Sequence, residues 1–188
     1  MSQPPVVVEC LGRFSMALAG RRLELRQLRP QARQLLMMLA VRGDDPVHRE
    51  RLTDALWPEA DPRRSFARLH TAVYDLRRFL EPGHQRRRGE LLRQSGRTYW
   101  LALPPGSRND VADFDRCCRE ARRALAAERP AEALAALRGA AAAYGGELLP
   151  EAGPAEWLLE LRAELRQRAQ WVDRTLTRLE SPESPESR

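Results

Sequence analysis

All 32 basic residues of this 188-residue chain are arginine, and there is no lysine. A phosphate-cradling P-loop, a pyridoxal phosphate Schiff base and a serine-lysine dyad each need a lysine amine, so none of them can be built here. The histidines, His48, His70 and His84, are scattered without metal-ligand spacing, and neither Gly-x-Ser-x-Gly nor His-Glu-x-x-His occurs. Three cysteines, Cys10 and the vicinal pair Cys117-Cys118, are too few and too oddly spaced for a zinc site or a disulfide framework. They read as reduced and buried small residues rather than a redox switch. No metal, cofactor or enzymatic activity is expected, and the chemistry left is that of guanidinium groups.

GC-rich coding accounts for the abundance of arginine and alanine, but it has no reason to cluster them. Residues 1–104 hold 19 arginines and 11 acids, whereas 105–188 hold 13 arginines and 15 acids. Within the first half, residues 62–97 carry ten arginines (63, 64, 68, 77, 78, 86, 87, 88, 93, 97) against Asp75, Glu81 and Glu90. A concentration of that kind suits a polyanion.

The elements that would position these arginines can be read in order. Val6 to Cys10 is rich in β-branched residues, Phe14, Met16 and Leu18 alternate with smaller residues, and Ala19-Gly20 turns the chain into Arg22-Leu23-Glu24-Leu25. That predicts a small antiparallel sheet. Pro30 opens a helix through Arg42 too apolar all round for a surface position, hence a central one. A short second helix spans Arg49 to Trp57 and stops at Pro58. A third runs from about Pro62 to Glu81, with Asp61 as its N-cap and Phe66, Leu69, Val73, Leu76 and Leu80 as its apolar stripe. Glu90 to Leu103 follows as a hairpin turning at Ser95-Gly96, with Arg97 and Thr98 at the tip.

The face of the third helix opposite its stripe presents Arg64, Arg68, Thr71, Ala72, Asp75 and Arg78. Arginine reads guanine bidentately and a methyl group meets thymine, so such a face can enter a major groove of double-stranded DNA. Sheet, three helices and a cation-tipped hairpin is the order of a winged helix, whose wing reaches backbone or minor groove.

The run Leu103-Pro-Pro-Gly-Ser-Arg-Asn-Asp110 separates two differently composed halves and is expected as the boundary between a domain at 1–104 and one at 105–180. In the second, Val111, Phe114, Cys117 or Cys118, Ala121 and Leu125 mark one helix. Leu134, Leu137, Ala141 and Tyr144 mark another, together a tetratricopeptide-like pair. A third helix from Pro154 to about Leu179 carries Leu158, Leu161, Leu165, Ala169, Val172, Leu176 and Leu179, a stripe that must be covered. A twin in a homodimer, the winged helix, or further chain could each cover it, and dimerisation through 154–179 is the preferred expectation. Residues 181–188 repeat Ser-Pro-Glu and read as a disordered tail.

At these residues the chain resembles the Streptomyces antibiotic regulatory protein (SARP) family, an OmpR-type winged helix followed by a bacterial transcriptional activator domain. The carriers are Leu11-Gly12-Arg13-Phe14, Ala55-Leu-Trp-Pro58, Leu69-His-Thr-Ala-Val-Tyr-Asp-Leu-Arg-Arg78, Gly96-Arg-Thr-Tyr99, and Tyr144-Gly-Gly-Glu-Leu-Leu-Pro150 with Trp157 and Arg162. The resemblance implies an α+β winged helix with an N-terminal antiparallel sheet, then an all-α domain. It also implies a transcriptional activator that binds promoter direct repeats and recruits RNA polymerase.

Positions matching the family's DNA-facing helix are Arg64, Arg68, Thr71, Ala72 and Asp75, with Arg77 or Arg78 toward phosphates and Arg97 and Thr98 on the wing. Two residues depart from it. His48 stands where relatives carry a Ser or Thr cap, which should weaken the second helix's start or make it pH-sensitive, and Asp75 puts a carboxylate on a groove face. The activator domain is also shorter than the family's.

The alternative to a DNA-binding regulator is a helical interaction module whose winged helix docks protein. The longest apolar run, Leu35 to Val41, falls far short of the ~20 residues of a membrane span, and Met1 to Pro5 lacks a basic signal region. A cytoplasmic protein is expected.

Overall fold

The computed structural model describes residues 5–81 and 90–181. His84, Arg86, Arg87, Arg88 and the Ser-Pro-Glu tail beyond 181 lie outside the described residues.

The first sheet begins with β1 (Val6–Glu9) and β2 (Ser15–Leu18), paired antiparallel with Val6 opposite Leu18 and Glu9 opposite Ser15. Its side chains alternate as a one-sided sheet requires: Val6 and Val8 are buried, while Val7 and Glu9 face out. The third strand, β3, is only Arg21–Arg22. It is shorter than Arg22 to Leu25 because the chain turns there into a 3-10 turn at Leu25–Gln27, which leads to the buried Leu28 ahead of Pro30.

Helix α1 (Pro30–Arg42) starts on its proline and buries every residue from Leu35 to Val41, so it is the central helix its composition predicts. It ends at Gly43, whose φ of 58° suits glycine. Strand β4 (Val47–His48) then leads into α2 (Arg49–Leu56). His48 makes no side-chain capping bond to this helix, and its Nδ1 lies 2.6 Å from Glu50 Oε2 instead.

Helix α3 (Pro62–Leu80) is capped by Asp61, whose carboxylate accepts from the amides of Arg63 at 3.0 Å and Arg64 at 3.3 Å. Its stripe of Leu69, Val73, Leu76 and Leu80 packs into the shared core with α1 and α2. Strands β5 (Leu92–Ser95) and β6 (Thr98–Leu101) form the expected hairpin, with β4 on the other edge of β6. Gly96, with φ 55°, makes the tight turn possible.

The segment expected to be a plain break contains a strand, β7 (Arg108–Asn109), which pairs parallel with β1. Helix α4 (Asp110–Ala126) follows directly, capped by Asn109, whose Oδ1 accepts from Val111 N and Ala112 N. The Asn109 amide also donates to the Ala40 carbonyl at 2.7 Å, tying the start of α4 to the end of α1.

Helix α5 (Pro130–Ala143) forms a tight hairpin with α4. Its inner face is Ala133, Leu137 and Ala140 rather than Leu134, Leu137 and Ala141, a rotation set by the close approach of Gly139 to Cys117. A β-carbon on Gly139 would lie 3.1 Å from the Cys117 sulfur.

Helix α6 (Glu156–Glu180) buries Leu158, Leu165 and Val172 inside the same chain, with Arg122 of α4 stacked 5.0 Å from the Trp171 ring. The chain itself thus buries three of the seven stripe residues and half-covers Leu161, Ala169, Leu176 and Leu179. The described cysteines are free and buried. Burial pushes the Cys10 thiol well up and the Cys118 thiol to about 11, which disfavours the reactive thiolate. Among the described residues no helix is long and apolar enough to cross a membrane, and no cluster of side chains could hold a metal ion.

Candidate nucleic-acid interface

The exposed face of α3 is set by its packing. With Leu69, Val73 and Leu76 inward, helical geometry turns Arg63, Arg64, Ala67, Arg68, His70, Thr71, Tyr74 and Arg78 outward, and all eight are exposed. Among the described residues, neither Arg64 nor Arg68 has a carboxylate partner or a hydrogen-bond acceptor for its guanidinium. Their donors are free for a ligand. Thr71 is exposed but gives its hydroxyl back to the Ala67 carbonyl at 3.2 Å, leaving its methyl group as the outward feature.

Ala72 corrects the expected face. It is 3% exposed and belongs to the core, because it sits one residue before Val73 on the side that α1 covers. Asp75 is half-buried, and its Oδ2 lies 3.5 Å from Arg29 Nη1, so the unexpected carboxylate has a cation beside it.

The wing is fastened to the helices at several points. Arg77 reaches from α3 to Gln94 Oε1 of β5 at 3.5 Å. The Arg97 carbonyl accepts from Arg49 N at 2.8 Å, which pins the hairpin tip to the start of α2. The Arg97 guanidinium itself is 64% exposed and, among the described residues, pairs only with Glu50 at 3.9 Å, a surface contact worth little. Thr98 is half-buried and donates to the Ser95 carbonyl at 2.9 Å, so it closes the turn rather than pointing outward. Between α3 and the wing lies a recess of about 190 Å³, lined by His70, Tyr74, Arg77, Arg78, Gln94 and Tyr99.

Of the nine expected positions, then, Arg64, Arg68, Thr71 and Arg78 share the outer face of α3 and Arg97 stands at the wing tip. Arg77 and Thr98 hold the wing, Asp75 is paired, and Ala72 is inside. Sequence reasoning missed Tyr74, 51% exposed with the Arg78 guanidinium 5.8 Å from its ring, although its place between Thr71 and Arg78 on the same helical face was a usable signal. It also missed Arg29, which precedes α1 and is brought to α3 only by tertiary packing.

Residues 24–99 match the family model for "Transcriptional regulatory protein, C terminal", and residues 109–181 match that for "Bacterial transcriptional activator domain". Each model matches about two fifths of the chain, in the order in which SARP-type transcriptional regulators carry these two regions. Both matched families are regulatory rather than catalytic.

The chain's fold is similar to that of Mycobacterium tuberculosis EmbR, solved in complex with a low-affinity phosphopeptide. The TM-score is 0.76 at 23% identity, over 96% of this chain and 46% of that one. The chain thus spans less than half of that structure's length. No curated protein matches its sequence. The winged helix with an N-terminal sheet and the all-helical unit after it are the architecture the sequence predicts.

A second set of polar contacts lies between the N-terminal sheet and the helical unit. The Asp110 carboxylate accepts from the amides of Cys10, Leu11 and Val111, all within 2.8 Å. Burial raises its pKa above the ordinary carboxylate value, and those amide bonds offset this only in part. Glu151 accepts from Phe14 N at 2.7 Å, Glu147 O from Gly12 N at 2.8 Å, and Cys10 O from Leu149 N at 2.9 Å. Gly145 lies so close that a β-carbon there would be 2.6 Å from the Leu11 carbonyl oxygen.

Arg162, 9% exposed, donates to the carbonyls of Leu148, Leu149 and Gly153 at 2.6–2.8 Å. It braces a loop in which Leu149 holds a left-handed φ of 46°. That is the physical work of two motifs the sequence singled out, Leu11 to Phe14 and Tyr144 to Pro150.

Proposed function

We propose that this regulator binds double-stranded DNA sequence-specifically and activates transcription, with α3 in the major groove and the wing on the adjacent backbone. The observation that carries the reading is the outer face of α3, where Arg64 and Arg68 stand exposed and, among the described residues, without carboxylate partners, together with the exposed Arg97 at the wing tip. Exposed guanidinium groups without a carboxylate beside them gain most from phosphate and guanine acceptors, and counterion release adds to the binding. In this reading the region 1–104 reads DNA. The helical region 105–180 meets a protein partner, RNA polymerase by family resemblance, at promoters carrying direct repeats. Such a protein works beside the chromosome, in the cytoplasm.

The test is fluorescence anisotropy of the full chain on a pool of random duplexes at two salt concentrations, with sequencing of the retained fraction. Binding that weakens steeply with salt and enriches a repeated motif is the expected result. No binding even at low salt would refute the reading and favour a winged helix that docks protein.

A further inference from the structure

Arg29 is remote from the arginine cluster in sequence and does not lie on α3, yet the fold delivers it to that helix. It immediately precedes α1, its side chain is 72% exposed, and its Nη1 lies 3.5 Å from Asp75 Oδ2, whose side chain is 22% exposed. Arg29, Gln31, Trp57, Arg68, Thr71 and Asp75 line one open recess of about 410 Å³ on the flank of α3. Arg68 and Thr71, both on the outer face of α3, therefore share a wall with Arg29.

We propose that Arg29 is a further DNA contact, to a backbone phosphate beside the groove occupied by α3, and that Asp75 is a positioning residue for it rather than a base reader. The inference rests on the DNA-binding reading above and deepens it. A guanidinium has five N–H donors in a fixed fork, and the contact to Asp75 engages one edge, leaving the others for an anion. The contact also neutralises a carboxylate that would otherwise repel a polyanion from the flank of α3. An exposed ion pair of this length contributes little to folding, so the charge of Arg29 is not committed to stability. A phosphate contact supplies affinity and register without sequence information, which is the role available to a cation at the margin of the groove rather than on the reading face.

The test is the salt dependence of binding by the full chain to the motif selected from the duplex pool, for wild type, Arg29→Ala, Arg29→Lys, Asp75→Asn and the double variant Arg29→Ala with Asp75→Asn. Arg29→Ala should weaken binding to every sequence about equally, by roughly tenfold at low salt. It should also reduce the slope of log K against log salt by about 0.9, one phosphate's share. Arg29→Lys should restore the slope. Asp75→Asn should leave base preference unchanged, and in the Arg29→Ala background it should recover part of the lost affinity, because the carboxylate then lacks its cation.

If wild type binds its motif but Arg29→Ala leaves the slope unaltered, the proposal is overturned while the DNA-binding reading stands. A change of preference at a single base pair in Asp75→Asn would equally overturn it, by making Asp75 a reader. Absence of wild-type binding would remove the DNA-binding reading and this inference together.

Discussion

Two arginine environments in this molecule differ in every respect but the residue. At the seam between the N-terminal sheet and the helical unit, Arg162 is buried and its guanidinium is satisfied by three backbone carbonyls. On the outer face of α3, Arg64 and Arg68 are exposed and, among the described residues, unpaired. A buried arginine with complete hydrogen bonding fixes backbone geometry, whereas an exposed and unpaired one is available to a ligand. Guanidinium chemistry is shared, so only burial and satisfaction separate structural from functional arginine.

The sharpest way to break that contrast is at the seam. Arg162→Ala would strip donors from the Leu148, Leu149 and Gly153 carbonyls and release the strained Leu149 turn. A loss of about 3–5 kcal/mol is expected, against a total of about 5–15 kcal/mol for a protein of this kind. Urea unfolding checks it, and a loss below about 1 kcal/mol would mean the loop holds its shape without the arginine.

A smaller effect is expected at Asp110. Replacement by Asn swaps one acceptor oxygen for a donor facing the Cys10 and Leu11 amides, at a cost of about 1–2 kcal/mol. The pH dependence sharpens the test. Because burial raises the folded pKa of Asp110 above 3.8, the native chain keeps a proton there that the unfolded chain has already released. This group's contribution is therefore complete below 3.8 and is lost as pH rises through the folded value. The stability gap between wild type and Asp110→Asn should narrow as pH rises across that window, and a gap that widens would show that the amide bonds outweigh burial.

The same contrast explains what could be read before the structure. Helix α3 and the hairpin are legible because apolar steps of three and four, the Asp61 cap and the Ser95-Gly96 turn are local signals, each satisfied within a few residues of chain. Ala72 was misplaced because an alanine carries no weight in such a pattern: it fits either face, and the packing of α1 decided. The seam was invisible for a different reason. Its bonds join Cys10 to Asp110 and Phe14 to Glu151, about a hundred residues or more apart, and no periodicity reports pairs at that separation. Strand β7 was hidden inside a Pro-Gly-Ser run that reads as a break. The Arg29–Asp75 pair likewise depends on α1 and α3 meeting.

The most direct test of the account removes arginines of both kinds that do not build the core. One variant carries Arg64→Ala, Arg68→Ala and Arg97→Ala, the exposed set at α3 and the wing. The other carries Arg116→Ala, Arg129→Ala and Arg138→Ala, exposed in the helical unit but paired there with Glu120, Glu132 and Glu180. Both lose the same formal charge. Binding of each to the selected duplex is followed against salt concentration. The account predicts that the first variant loses about 0.9 from the slope for each phosphate contact removed, together with its base preference, while the second keeps both. Equal losses in the two variants would contradict it, because net charge alone, rather than the face of α3, would then be responsible for binding.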